Sequence, residues 1–180
     1  MAGRCLRRSG VLMGLALLLA GAPALILGGC GSEVKKPAAA ITLEKGGEFR
    51  INLSRDNAPK TVENFITLAR KGFYDGLTFH RVQPGVLVQG GDPKGDGSGG
   101  PGYTIKAEFN SQKHVRGTVG MARGLSPDSA GSQFYILLAD AAEMDGQYTV
   151  FGTVASGIEV VEKIQVGDKI KSIKIVEAAP

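Results

Sequence analysis

The chain of 180 residues is long enough for one domain with a hydrophobic core and too short for two full domains. Its 27 glycines exceed the average usage of about 7% and predict many tight turns, which favours an all-β or α+β architecture. The formal charge of +4 falls to +1 once Arg4, Arg7 and Arg8 are removed. No basic stripe remains, and this excludes the nucleic-acid-binding class.

The first thirty residues have the layout of a secretory signal peptide. A cationic start through Arg8 precedes the apolar run 11–27, which two glycines and a proline interrupt. This run is at the short edge of what spans a hydrocarbon core of about 30 Å, so cleavage is favoured over a retained helix. The segment Leu27-Gly28-Gly29-Cys30 then resembles a bacterial lipobox, in which the cysteine thiol receives diacylglycerol.

Cysteine usage favours lipid attachment at Cys30. Cys5 lies in the predicted leader 1–29, so the mature chain holds Cys30 alone and cannot form an internal disulfide. An ordinary signal peptide with an incidental cysteine and an uncleaved single-span anchor remain the alternatives. Residues 30–40 are predicted to be a lipidated flexible tether, with the domain over 41–180. The predicted location is the extracytoplasmic face of a bacterial membrane.

Periodicity then predicts a strand followed by a helix. Phe49, Ile51 and Leu53 alternate with polar residues, as in a half-buried strand. Apolar residues at 62, 65, 66 and 69 follow helical spacing, with Pro59 in the first turn and Gly72 at the stop. An amphipathic helix is therefore predicted between these two residues.

The rest of the chain consists of short apolar runs separated by turn residues. Strands are predicted at 77–82, 86–89, 118–121, 134–138, 149–154 and 170–176, and a second helix at 158–166. Many short strands and two distant helices predict a mainly β fold, a closed barrel with helices on its ends.

Several kinds of chemistry are excluded. The glycine-rich segment 90–102 lacks the Gly-Lys-Ser/Thr ending of a phosphate-binding loop and is interpreted as a solvated turn region. Asp92, Asp96 and Asp128 have the wrong spacing for a calcium loop, and His80 and His114 are the only imidazoles, so no metal site is expected. Without a Gly-x-Ser-x-Gly elbow or a free cysteine, hydrolase chemistry has little support.

A set of motifs spread over residues 41–176 resembles the cyclophilin family of peptidyl-prolyl isomerases. The matching segments are Phe79–Gly85, Gln89–Asp92, Gly117–Arg123, Gly131–Ile136 and Val150–Gly152. This resemblance implies a closed eight-stranded antiparallel β-barrel capped by two α-helices, with no cofactor.

The resemblance also implies roles for individual residues. Arg81 would be the catalytic guanidinium, Gln89 would orient it, and His80 would line the edge of the site; a surface charge and a structural histidine are the alternatives for Arg81 and His80. The implied substrate-binding residues are Phe79, Val86, Leu87, Ala122, Arg123, Gln133, Tyr135, Met144 and Tyr148.

Four positions depart from the commonest family pattern. Val86 and Tyr135 stand where phenylalanine is usual, and the Tyr135 hydroxyl needs a partner. Tyr148 stands where animal members have His, as in the bacterial branch, and Glu143 where many have Trp, which argues against cyclosporin sensitivity.

The sequence leaves two candidate functions open. The first is a monomeric isomerase acting on Pro-containing segments of secreted or envelope proteins and so assisting their folding. The alternative is a module that binds such segments, as a chaperone would, without accelerating isomerisation.

Overall fold

The computed structural model describes residues 37–177. The predicted leader 1–29, the proposed lipid site Cys30, the first part of the tether and residues 178–180 lie outside the described residues. The described chain forms one antiparallel eight-stranded sheet. Its strands are β1 (Pro37–Leu43), β2 (Glu48–Leu53), β3 (Arg81–Gln83), β4 (Leu87–Gly90), β5 (Thr118–Met121), β6 (Phe134–Leu137), β7 (Val150–Ser156) and β8 (Ile170–Glu177).

The sheet is curled, but its hydrogen-bonded ladder does not close. The strand order is β3-β4-β6-β5-β7-β2-β1-β8, so β3 and β8 are the two edges. The segments that lead into β3 and β8 are joined by one isolated bridge, Thr78 to Lys169, and by four backbone hydrogen bonds of 2.7 to 3.0 Å. The predicted closed barrel is therefore slightly overstated, because the predicted strand 77–82 is reduced to a three-residue β3 and only this short contact joins the two edges.

The first strand corrects the predicted start of the domain. Ala38, Ala39 and Ala40 are buried, and β1 pairs with β2 on one side and β8 on the other. Residues 37–40, assigned to the flexible tether from the sequence, are thus part of the sheet. These three alanines are buried on both faces of the sheet, and a run of alanines lacks the alternation that marks a half-buried strand in sequence.

The first predicted helix is confirmed as α1 (Pro59–Arg70), which buries the predicted apolar stripe. Phe65 on this stripe contacts the rings of Tyr74, Phe134 and Phe151 at centroid distances of 5.2, 5.7 and 5.3 Å. These contacts fix α1 on the inner face of the curled sheet. No helix within residues 37–177 has the length and apolar character needed to span a bilayer.

The second predicted helix is shorter than expected. It is α2 (Ile158–Val161), and the chain continues in tight turns in which Lys163 and Ile164 donate to carbonyls three residues earlier. Val161 and Ile164 are still buried. The apolar stripe that predicted a helix over 158–166 is therefore buried as expected. Its second half lies in turns and not in a continuous helix.

Alternation along the strands divides the sheet into two faces. Val88, Phe134 and Ile136 point into the main core. Leu87, Tyr135, Leu137 and Ala141 form a second buried cluster, separate from that core. Arg81 and Gln89 lie on the same outer face as this second cluster, because they pair in register with Tyr135.

Candidate active site

The strand register places the central residues in one row across four strands. Arg81 on β3 pairs with Gln89 on β4, Gln89 pairs with Tyr135 on β6, and Tyr135 pairs with Gly120 on β5. Paired residues share a face of the sheet. A cation, an amide and an aromatic ring are therefore neighbours on the outer face.

A chain of side-chain amides fixes the orientation of Arg81. Its Nη1 donates to Gln89 Oε1 at 3.4 Å and its Nη2 to Gln83 Oε1 at 3.1 Å. Gln89 Nε2 donates to Gln133 Oε1 at 3.0 Å. Gln133 Nε2 in turn donates to the carbonyls of Gly97 and Gly99, at 2.9 Å each. Each amide is thereby oriented with its oxygen toward Arg81.

An apolar cluster lies beside this amide chain and includes Tyr135, the register partner of Gln89. Ala122, Met144 and Tyr148 pack against the buried residues Leu87 and Tyr135. All five were predicted substrate-binding residues, and the structure brings them together. Met144 belongs to the short 3₁₀ helix Ala142–Met144, in which the neighbouring Glu143 is exposed.

Arg123 closes one side of the cluster. Its guanidinium stacks on the Tyr148 ring at 4.7 Å from the centroid, and its Nε donates to the Gln147 carbonyl at 3.1 Å. The Tyr135 ring lies across Gly120, where a Cβ would overlap the phenol. A glycine at position 120 is thus needed for the observed ring position.

The Tyr135 hydroxyl, predicted to need a partner, lies 2.9 Å from His114 Nε2. Burial raises the pKa of the Tyr135 phenol above its usual range, so the hydroxyl stays neutral. The opposite ring nitrogen, His114 Nδ1, lies 3.1 Å from Asp145 Oδ1. The hydrogen bonds from the His114 backbone N–H and the Lys113 ammonium lower the pKa of Asp145 to about 2.

Three predicted site residues occupy other surroundings. Phe79 is 0% exposed and belongs to the main core, not to the apolar cluster of the groove. Val86 is 48% exposed in the turn before β4 and does not join the apolar cluster. His80 is partly buried, and its Nδ1 has no hydrogen-bond partner within residues 37–177.

A cavity of about 560 Å³ adjoins the amide chain, and sequence reasoning missed most of its walls. Its lining includes Gln89, Lys94, Gly99, Tyr103, Arg123 and Gln133. Part of the glycine-rich segment interpreted as a solvated turn forms one wall. Buried Asp92 fixes that segment by accepting hydrogen bonds from the backbone N–H groups of Lys94, Asp96 and Gly97. The available signal in the sequence was an acidic residue, Asp92, at the start of a glycine-rich run.

No group of three or more potential ligand side chains within residues 37–177 is arranged to hold a metal. The described groove presents a guanidinium, two amides and an apolar cluster. This combination suits the binding of an extended peptide and the polarisation of one of its bonds.

The fold and the groove together define the cyclophilin type of prolyl isomerase. The family model "Cyclophilin type peptidyl-prolyl cis-trans isomerase/CLD" matches residues 39–179. The chain belongs to this family.

Two similar bacterial proteins are named as peptidyl-prolyl cis-trans isomerases. A peptidyl-prolyl cis-trans isomerase of Helicobacter pylori (strain ATCC 700392 / 26695) is 46% identical over 145 residues, covering 78% of this chain and 88% of the relative. Peptidyl-prolyl cis-trans isomerase B of Bacillus subtilis (strain 168) is 47% identical over 135 residues, covering 74% and 94%.

A solved structure supports the fold. A cyclophilin type peptidyl-prolyl cis-trans isomerase of Cryptosporidium parvum, crystallised in the presence of the dipeptide Ala-Pro, matches with a TM-score of 0.71 and 28% identity. The match covers 78% of this chain and 99% of that chain. The mainly β architecture with two helices is confirmed.

Proposed function

We propose that this chain accelerates cis-trans isomerisation of X-Pro bonds in polypeptides, with Arg81 as the catalytic residue. The observation that carries the proposal is the oriented Arg81–Gln89–Gln133 chain beside an apolar cluster on one face of the sheet. The relative crystallised with Ala-Pro supports a proline-containing peptide as the ligand.

The reaction needs a catalyst that favours the twisted peptide bond. Resonance sets a barrier of about 18–20 kcal/mol, and the uncatalysed exchange takes tens to hundreds of seconds. As the bond twists, the prolyl nitrogen regains its lone pair and becomes a hydrogen-bond acceptor. A donor placed at that nitrogen stabilises the twisted state more than the planar one and so lowers the barrier.

Arg81 has donors to spare for that role. Of the five N–H groups of a guanidinium, two donate to Gln83 and Gln89 within residues 37–177. The other three are available to a bound peptide. No bond is made or broken in this mechanism, and no proton is transferred.

The flanking residues hold the substrate. The cluster of Leu87, Tyr135 and Met144 would take the proline ring, with Ala122 and Tyr148 beside it. Gln89 would hold the substrate backbone while it orients Arg81. Val86 stands at the rim, where a valine buries less apolar surface than a phenylalanine. We expect this to weaken substrate binding by about 1–2 kcal/mol.

A non-catalytic module that holds Pro-containing segments is the second candidate, and the exposure of Val86 is the observation in its favour. A refolding reaction limited by proline isomerisation separates the two. Wild type is expected to speed refolding and Arg81→Ala to lose most of that effect, with equal thermal stability as the control. Equal refolding rates for the two proteins would reject the catalytic role.

We propose further that the protein acts outside the cytoplasmic membrane, on secreted or envelope proteins, as a monomer. The support is the leader 1–29 and Cys30, which would carry a diacylglycerol anchor. Two acyl chains hold a protein at a membrane stably, whereas one holds it only marginally.

Replacing Cys30 with alanine tests the anchor. The variant is expected to leave the membrane fraction or to accumulate at the size of the unprocessed precursor. A Cys5→Ala variant is the matched control, because that cysteine lies in the segment to be removed. A Cys30→Ala protein that remains membrane-bound at the mature size would contradict lipidation.

A further inference from the structure

His114 is a buried titratable residue that the proposed reaction does not use. Its side chain is 0% exposed, and both ring nitrogens have partners. Nδ1 lies 3.1 Å from Asp145 Oδ1, and Nε2 lies 2.9 Å from the Tyr135 hydroxyl. A polar group this deeply buried is costly unless it is fully hydrogen-bonded. This one connects an acidic residue to the ring at the centre of the apolar cluster.

The Asp145 carboxylate determines which atom donates in the hydrogen bonds of His114 with Asp145 and with Tyr135. Asp145 is ionised, because the backbone N–H of His114 and the Lys113 ammonium lower its pKa to about 2. An ionised carboxylate only accepts hydrogen bonds, so His114 Nδ1 is the donor. In the neutral ring Nε2 is then the acceptor, and the Tyr135 hydroxyl donates to it.

The His114 ring is itself held on two sides. Asp145 Oδ1 also accepts the His114 backbone N–H at 2.8 Å, so one oxygen fixes both the main chain and the ring. The His114 carbonyl accepts from the Ala141 N–H at 2.8 Å, next to the 3₁₀ helix that carries Met144. His114 is thus a rigid acceptor for the phenol.

The Tyr135 ring transmits this restraint to the groove. It meets the Tyr148 ring edge-on at 5.9 Å between centroids, and Arg123 stacks on Tyr148. It also pairs in register with Gln89, the residue that orients Arg81. A change in the Tyr135 side-chain rotamer would carry its hydroxyl away from His114 and displace its ring from its present position in the apolar cluster.

We propose that His114 and Asp145 are positioning residues that hold the Tyr135 ring as the fixed wall of the proline-binding cluster. The proposal rests on the proposed function, because it assumes that the substrate proline binds against Tyr135. Neither His114 nor Asp145 touches the substrate, and their effect passes through the phenol hydroxyl.

A double-mutant cycle tests this proposal in the full chain, with a short Ala-Pro peptide as substrate. Tyr135→Phe removes the hydroxyl, and His114→Leu removes its acceptor. Each is expected to raise KM about fivefold, as for the loss of one hydrogen bond, with little change in kcat. The double variant is expected to cost no more than either single variant. His114→Gln, which offers an amide oxygen to the phenol, is expected to recover part of the affinity.

Tyr74→Phe is the matched control, since it removes another buried hydroxyl, one that donates to the Ser132 carbonyl at 3.3 Å. It should leave KM unchanged.

If Tyr135→Phe leaves KM unchanged, or if the effects of Tyr135→Phe and His114→Leu on KM add independently, the proposal is overturned. If His114→Leu does not fold, Tyr135→Phe and His114→Gln decide it. An inactive wild type would overturn the proposed function as well, whereas an active wild type with an additive cycle overturns only the positioning role.

Discussion

The guanidinium of Arg81 is exposed, and its orientation depends on residues distant in sequence. Gln89 and Gln133 can orient it because Gln133 is fixed by two glycine carbonyls. A surface arginine on a short edge strand would otherwise sample many rotamers, with an entropy cost at each binding event. The amide chain reduces that cost before substrate arrives, which is why the side-chain amides matter as much as the charge.

Acid should weaken the network at Asp145 in a defined pH range. Its pKa is about 2 in the folded chain and 3.8 as the ordinary value. A lowered folded pKa stabilises the fold above the ordinary value, and this contribution is lost as pH falls from about 4 toward 2. The free energy of unfolding in urea, measured at pH 6, 4 and 2.5, should therefore show an advantage over Asp145→Asn that shrinks below pH 4. A difference that is constant across this range would contradict the assignment.

Among the secondary-structure elements, β4 and β6 contribute both to the core and to the groove, because successive side chains point to opposite faces of the sheet. Val88 and Ile136 enter the core, while Leu87, Gln89 and Tyr135 face the groove. The sequence predicted these strands from their apolar character, but not which apolar residues face out. The apolar members of both sets are buried, so periodicity cannot distinguish a core residue from a pocket residue.

The domain was predicted to start at residue 41, but β1 begins at Pro37, and a truncated fragment tests the contribution of the residues between them. A fragment starting at Ile41 loses residues 37–40, of which the three alanines are buried and pair with both β2 and β8. The lost burial and hydrogen bonds are expected to cost about 3–5 kcal/mol and to lower Tm by about 10 °C. Thermal melting followed by circular dichroism compares the Tm of this fragment with that of a fragment starting at Val34. Equal Tm values would show that residues 37–40 contribute nothing to the fold.

Across the whole molecule, the sequence predicted more of the fold than of the groove. The helix α1 follows from local spacing, whereas sheet closure depends on whether β3 reaches β8, a contact between distant segments. The cavity wall depends on both local and distant contacts, because Asp92 holds the glycine-rich segment from within and Gln133 donates to its Gly97 and Gly99 carbonyls. The glycine count alone indicates turns, and it does not show the Gln133 contacts that join these turns to the groove.

The central claim is that an oriented guanidinium, and not merely a positive charge, accelerates X-Pro exchange. The most direct measurement is the cis-to-trans rate of a short Ala-Pro peptide with wild type, Arg81→Lys and Arg81→Ala. A lysine keeps the charge but not the planar fork that contacts Gln83, Gln89 and the peptide together. We expect Arg81→Ala to lose about 100-fold or more in kcat/KM, and Arg81→Lys to lose most of that. An Arg81→Lys or Arg81→Ala enzyme as fast as wild type would contradict the account.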